Sequence, residues 1–254
     1  MANQFKECLK RYQLTVFEDE WGALQRGIEK ESLRVKLNGH ISLSPHPTTL
    51  GSALTNPYIT TDFSEALLEL ITPVSRTIDG CLQELDSIHR YTVQNIEEDE
   101  ILWATSMPCP LSTDIEIPIA QYGKSNIGRL KTLYRQGLHH RYGSLMQAIA
   151  GIHYNFSMPE AFWESYKNNC KFEGSTQDFK TEKYLHLIRN FHRFSWILLY
   201  LFGASPTACR CFVEGRDHDL TELDKSTLFK PFATCLRMGN LGYKSEAQQS
   251  LFVC

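Results

Sequence analysis

The stretch RGIEKESLRV, residues 26–35, constrains the fold most, because it reads as a β-strand that carries two carboxylates. Side chains alternate across a strand, so Glu29 and Glu31 share one face and lie roughly 7 Å apart along it. Glutamate is depleted in strands, and two like charges held this close raise each other's pKa. The pair therefore predicts either a solvated strand face or a site for a cation.

Further acids decide between these two interpretations. An isolated E-x-E pair favours a solvated face, with Lys30 and Arg34 in ion pairs elsewhere. Asp62, Glu69 and Glu100 favour the cation site, and Glu69 is the most informative because it interrupts the apolar run ALLELI. A charge in such a run must face solvent or be paired. A hard divalent cation such as Mg²⁺ prefers oxygen ligands and would remove the repulsion.

The segment GIHYNFSMP contains a histidine with polar neighbours. Strand alternation places His153, Asn155 and Ser157 on one face, which is typical of the floor of a site. A lone histidine is more often a hydrogen-bonded structural residue. Only together with the acids does His153 become a candidate ligand.

Periodicity predicts a mixture of strands and helices. Asn38-Gly39 signals a hairpin turn after the first strand, and YITTDFSEALLELITPV predicts a second strand pair. The residue pattern predicts helices over 77–99, over the segment SNIGRLKTLYRQGLHHRYGSLMQAIAG at 125–151 and over 183–204. The run WILLYLFGA at 196–204 is too short to span a bilayer, and we expect it to form a buried helix end.

Charge and cysteine content narrow the classes of partner and compartment. With 26 basic and 29 acidic residues, the formal net charge is -3, so we expect no nucleic acid and no membrane as partners. The eight cysteines form no C-x-x-C pair, and MANQFKECLK lacks the apolar stretch of a signal peptide. We therefore expect a cytoplasmic protein with reduced thiols.

Several long segments carry a family resemblance: RGIEKESLRV, LGSALTNPYITTDFSEALLELITPV, LWATSMPC, IAQYGKSNIGRLKTLYRQGLHHRYGSLMQAIAGIHYNFSMP, YLFGASPT and LRMGNLGY. Together they resemble bacterial glutamate-cysteine ligases of the gammaproteobacterial type. The resemblance implies a glutamine synthetase-like α+β fold, in which a curved antiparallel sheet with flanking helices forms a funnel-shaped active site. Residues 1–254 would correspond to the N-terminal half of that catalytic domain, without the family's C-terminal half.

The resemblance also implies an activity and its cofactors. Family members join the γ-carboxyl of glutamate to cysteine with ATP, through γ-glutamyl phosphate, as the first step of glutathione biosynthesis. The partners would be the small molecules glutamate, cysteine and ATP, and the cofactors would be ATP and Mg²⁺, with Mn²⁺ as an alternative metal.

The resemblance assigns roles to particular residues. It implies a metal cluster of Glu29, Glu31, Asp62, Glu69, Glu100 and His153. Of these, Glu29, Glu69 and His153 would be catalytic. Glu31, Glu100 and His153 would bind the nucleotide. Tyr134, Arg237 and Tyr243 match positions near the amino-acid substrates.

Family members are longer than this chain, and three interpretations stay open. The first is the N-terminal half of a ligase, weakly active or inactive alone. The second is a catalytically impaired module that binds metal and nucleotide and needs a second chain. The third is a metal-dependent hydrolase that uses the same acids, which TSMPC and GIHYNFSMP in this order disfavour. A half sheet would also expose an unpaired edge and apolar surface.

Overall fold

The computed structural model describes residues 6–7, 10, 22–108, 111, 117–203, 205–236 and 241. Its strands are β1 (Gln25–Lys36), β2 (Ile59–Thr61), β3 (Leu67–Ile71), β4 (Glu100–Leu102), β5 (Ile152–Ser157), β6 (Thr207–Cys209), β7 (Thr221–Glu222) and β8 (Thr227–Phe229). Its helices are α1 (Ile78–Asn95), α2 (Asn126–Tyr142), α3 (Glu160–Asn169), α4 (Thr176–Phe202) and the short α5 (Arg210–Val213). Short 3-10 helices span Thr48–Leu50 and Leu145–Ala148.

Strand β1 is the centre of a five-stranded antiparallel sheet. Strand β3 pairs along one edge of β1, and β2 pairs with the far side of β3. Strands β4 and β5 both pair along the other edge, β5 with the first half of β1 and β4 with its end. Strands β6, β8 and β7 form a smaller antiparallel sheet in that order. The predicted α+β class with an antiparallel sheet is confirmed.

The two faces of the large sheet pack against different cores. On one face Leu33 and Val35 of β1 are buried with Phe63. On the opposite face Leu70 of β3 packs with Leu85 of α1. Because side chains alternate along β1, its two glutamates lie on the same face as Leu33 and Val35, nearer the start of the strand.

The hairpin turn predicted at Asn38-Gly39 is present. Lys36 N donates to the His40 carbonyl at 2.8 Å, and Gly39 has a φ of 88°, which glycine adopts without strain. Beyond the turn, only Ile41 bridges back to Val35. The turn is therefore confirmed, while the returning strand is reduced to a single bridge.

Helix α4 differs from the prediction in its start and in its burial. It begins at Thr176 rather than near residue 183, because the Ser175 side chain caps it by accepting from Asp178 N at 3.0 Å. The expected burial of its end is wrong: Trp196, Tyr200 and Phe202 are 61%, 70% and 76% exposed. Apolar composition does not ensure burial, because a packing partner must also be present.

Within the described ranges, no helix combines the length and apolar content that a bilayer crossing requires.

Candidate functional site

Strand register brings the predicted acids and the histidine together. Glu29 of β1 lies directly opposite His153 of β5 on one side and Ile71 of β3 on the other. Two residues further, Glu31 lies directly opposite Glu69 of β3. Directly opposed residues share a face of the sheet, so three strands supply side chains to one cluster.

The side-chain atoms of this cluster are spaced for a single ion. One potential ligand atom each from Glu29, Glu69 and His153 lie within 4.8 Å of one another. His153 Nδ1 is 3.4 Å from Glu29 Oε2 and 3.8 Å from Glu31 Oε1. Carboxylate oxygens suit Mg²⁺ and Mn²⁺, and an imidazole nitrogen adds a ligand that Mn²⁺ accepts well. The donor set therefore fits a divalent metal.

Backbone and amide donors orient the two glutamates of β1. Glu31 is buried, and its Oε2 accepts a hydrogen bond from Gly151 N at 2.7 Å. Glu29 Oε1 accepts from Asn155 Nδ2 at 2.7 Å. The side chains of Glu29 and His153 remain 33% and 50% exposed, so a ligand can reach the cluster from solvent.

Glu69 is the carboxyl group that the surroundings perturb most. Burial, followed by the negative charges of Asp62, Glu29 and Glu31, raises its pKa from 4.5 to about 7, and His153 opposes the shift. Each neighbouring carboxylate disfavours the ionised form of Glu69, and a bound cation would reverse this effect. Perturbed carboxyl groups of this kind are typical of functional sites.

Asp62 lies at the border of the cluster. It follows β2 directly, and Thr60, two residues earlier, is opposite Glu69. Strand alternation therefore places Asp62 toward the same face, and its charge contributes to the raised pKa of Glu69.

The structure does not bring Glu100 to this cluster. Glu100 of β4 pairs with Lys36, so its side chain lies on the opposite face of β1 from Glu29 and Glu31. There its Oε2 accepts from Arg34 Nη1 at 2.9 Å, with both side chains fully buried, and its Oε1 accepts from the Ser42 hydroxyl. Burial acts to raise the pKa of Glu100, but the Ser42 hydrogen bond and the Arg34 charge outweigh it, and the net shift is downward. The family resemblance implies a place for Glu100 among the metal ligands. The structure corrects this expectation, because Glu100 lies on the opposite face and already has a counter-charge in Arg34.

Of the three residues expected near the amino-acid substrates, only Tyr134 belongs to the described residues. Tyr134 lies on an exposed face of α2, and its substrate role stays a prediction. Arg237 and Tyr243 lie outside the described residues.

Two groups that contact the cluster were not predicted as site residues. They are the side chain of Asn155 and the backbone N–H of Gly151. Alternation along GIHYNFSMP did place Asn155 on the same strand face as His153, and this pattern could have identified Asn155 as a site residue. The Gly151 contact depends on how the β5 segment approaches β1, and no residue pattern indicates it.

Comparison with known proteins identifies the family. The sequence model of the glutamate-cysteine ligase family matches residues 11–254. The glutamate-cysteine ligase of Alcanivorax borkumensis is 54% identical over 233 residues, which are 91% of this chain and 44% of that protein. The ligase of Janthinobacterium sp. (strain Marseille) is 48% identical over 251 residues, 99% of this chain and 47% of that protein.

Two solved structures share the fold of this chain. The glutamate-cysteine ligase of Francisella tularensis, in complex with AMP, superposes with a TM-score of 0.82 at 42% identity, covering 91% of this chain and 45% of the other. A bifunctional glutathione synthetase from Pasteurella multocida gives 0.75 at 31% identity, covering 92% and 29%. The chain thus spans less than half the length of the relatives it matches. On the family match, the sequence identity and the shared fold, this chain belongs to the glutamate-cysteine ligase family.

Proposed function

We propose that this chain forms the metal and nucleotide part of an ATP-dependent glutamate-cysteine ligase. The reaction joins the γ-carboxyl of L-glutamate to the amine of L-cysteine and yields γ-glutamylcysteine, ADP and phosphate, the first step of glutathione biosynthesis. The observation that carries the proposal is the convergence of Glu29, Glu69 and His153 within 4.8 Å, with the pKa of Glu69 raised to about 7. Family membership gives this cluster its chemical context.

The cluster residues would hold Mg²⁺ or Mn²⁺ beside ATP. Glu29, Glu69 and His153 offer ligand atoms, while Glu31 and Asp62 add negative charge. Asn155 and the Gly151 N–H keep the β1 carboxylates in orientation. When bound, the metal would supply positive charge at the phosphates of ATP. AMP in the Francisella relative supports a nucleotide as ligand.

The proposed chemistry has two displacement steps. An oxygen of the glutamate γ-carboxylate attacks the γ-phosphorus of ATP, and the bond between that phosphorus and the leaving ADP oxygen breaks. The cysteine amine then attacks the carbonyl carbon of γ-glutamyl phosphate, phosphate leaves, and the nitrogen loses a proton. Both transition states concentrate negative charge, which accounts for a site built around cation ligands.

A second candidate function is a metal and nucleotide module that needs a partner chain for catalysis. The chain spans 44% of the Alcanivorax relative, so groups from the rest of such a protein are not supplied by these 254 residues. The side chains of Ile152, Tyr154 and Phe156 on β5 are exposed, as expected of a strand that another segment can cover.

One experiment separates the two candidates. The purified chain is incubated with glutamate, cysteine, ATP and Mg²⁺, and γ-glutamylcysteine is measured beside Glu29→Gln and the matched control Glu84→Gln, on the exposed surface of α1. Product that disappears only in Glu29→Gln supports the ligase. Absence of product, with Mg²⁺-dependent ATP binding that only Glu29→Gln abolishes, supports the module. Absence of both product and ATP binding contradicts both candidates.

A further inference from the structure

Helix α2 carries an arginine, Arg135, whose side chain contacts the backbone carbonyl groups of Thr61 and Asp62. Arg135 Nε donates to the carbonyl oxygen of Asp62, and Arg135 Nη2 donates to the carbonyl oxygen of Thr61 at 3.4 Å. On its amide side, Asp62 N donates to the Leu67 carbonyl at 3.0 Å. The peptide groups before and after Asp62 are therefore both restrained, and they determine the direction in which its side chain leaves the chain.

A buried tyrosine holds the arginine in this position. Tyr122 Oη donates to the Thr61 carbonyl at 2.7 Å and lies 3.2 Å from the Asp62 carbonyl oxygen. The guanidinium carbon of Arg135 lies 4.6 Å from the centroid of the Tyr122 ring, a cation–π distance. Arg135 Nη1 also donates to the Lys131 carbonyl at 3.0 Å. A guanidinium that lies over an aromatic ring and donates several hydrogen bonds has little freedom to move.

Asp62 is the residue through which this arrangement can affect the site. It follows β2 directly, and Thr60, two residues earlier, lies opposite the candidate ligand Glu69, so strand alternation directs the Asp62 carboxylate toward the face that carries the cluster. A change in the direction of the Asp62 side chain would therefore change the distance between its carboxylate and the ligand atoms of the cluster. Outer groups that orient metal-binding side chains typically contribute a factor of about 10 to 100 in metal affinity.

We propose that Arg135 is a positioning residue of the metal centre, acting through the backbone of Asp62. The proposal rests on the metal site proposed above and assigns to α2 a role in divalent-cation affinity. The contact to which we assign this role is the pair of donors that Arg135 directs at the Thr61 and Asp62 carbonyl oxygens, and Arg135→Lys, which keeps the charge, separates this geometric role from an effect of charge.

Lys131 provides the matched control. It lies one turn earlier on α2, and its Nζ is 5.1 Å from the centroid of the same Tyr122 ring. It therefore presents a similar charge to the same aromatic ring. Arg135 and Tyr122 donate hydrogen bonds to the Asp62 carbonyl oxygen, whereas the contact of the Lys131 side chain is with the Tyr122 ring.

The first measurement is Mn²⁺ binding to the full chain by electron paramagnetic resonance. Arg135→Gln and Arg135→Lys are both expected to raise the Kd about tenfold, while Lys131→Gln leaves it unchanged. A lysine cannot reproduce the forked contact with two carbonyl groups. A wild-type Kd in Arg135→Lys would show that charge alone suffices and would overturn the proposal.

The second measurement does not depend on metal. Amide hydrogen exchange of the metal-free chain reports on the hydrogen bond from Asp62 N to Leu67, and Arg135→Gln is expected to accelerate exchange there several-fold, unlike Lys131→Gln. Unchanged exchange at Asp62 would overturn the proposal, as would accelerated exchange with an unchanged Kd. If the wild-type chain binds no Mn²⁺, the metal site itself is contradicted, while exchange still decides whether Arg135 restrains Asp62.

Discussion

Glu31 of β1 and Glu69 of β3 are directly opposed residues of an antiparallel strand pair, with their side chains on the same face of the sheet. Like charges in directly opposed positions destabilise a sheet. The structure compensates in part, because Gly151 N donates to Glu31 and because the pKa of Glu69 is raised to about 7. The remaining repulsion is the kind that a bound divalent cation relieves.

The raised pKa of Glu69 predicts a pH dependence of stability. Below its ordinary value of 4.5, Glu69 is protonated in the folded and the unfolded chain and contributes nothing. Between 4.5 and about 7 the unfolded chain releases the proton first, so the free energy of unfolding falls as pH rises, and above 7 the loss is complete. Removing the charge with Glu69→Gln should therefore stabilise the metal-free chain at pH 8 by about 1 to 2 kcal/mol, after allowance for solvent screening.

Urea unfolding at pH 4 and pH 8 checks this prediction. The control Glu98→Gln changes an exposed carboxyl group after α1 and should leave the pH dependence unaltered. A Glu69→Gln variant that is less stable than wild type at pH 8 would contradict the account of repulsion at this position.

The metal centre predicts stabilisation by Mg²⁺. A ligand that binds only the folded chain raises the free energy of unfolding by about 2.7 kcal/mol at 100 times its Kd. His153→Gln removes one potential ligand and should reduce the increase in Tm, whereas the exposed His40→Gln should retain it. Differential scanning fluorimetry at constant ionic strength measures both. An equal increase in Tm for all three chains would place Mg²⁺ binding elsewhere.

The buried pair of Arg34 and Glu100 predicts a structural rather than a metal-binding role for Glu100. Glu100→Gln leaves the Arg34 guanidinium buried without its counter-charge, so we expect a loss of about 3 to 5 kcal/mol in the free energy of unfolding. In the fraction that stays folded, Mn²⁺ affinity should change little. Near-normal stability together with loss of Mn²⁺ binding would return Glu100 to the metal site.

Two phenylalanines of α4 predict opposite responses to substitution. Phe179 is fully buried, with its ring centroid 5.1 Å from that of Tyr166, so Phe179→Ala should cost about 3 to 5 kcal/mol. Phe202 is exposed, so Phe202→Gln should change stability by about 0.5 kcal/mol or less and should increase solubility. A large loss of stability in Phe202→Gln would show that the end of α4 is covered in solution.

The local features of this protein follow from its sequence. Two-residue alternation placed Glu29 with Glu31, and His153 with Asn155, before any pairing was known. The Asn38-Gly39 turn, the strand pair β2–β3 and the helix α1 likewise depend on patterns within a few residues of one another. Because each of these patterns involves only residues that are close in the sequence, the sequence alone is enough to predict them.

Tertiary structure decided which residues meet. The register of β1 with β3 sets Glu69 opposite Glu31, and the register of β1 with β4 turns Glu100 toward Arg34 and away from the cluster. A shift of one residue in either register would exchange the two faces of the strand, and the core packing that selects the register is distant in sequence. The exposed end of α4 has the same cause: its apolar composition is local, but the surface that would bury it must come from another part of the fold.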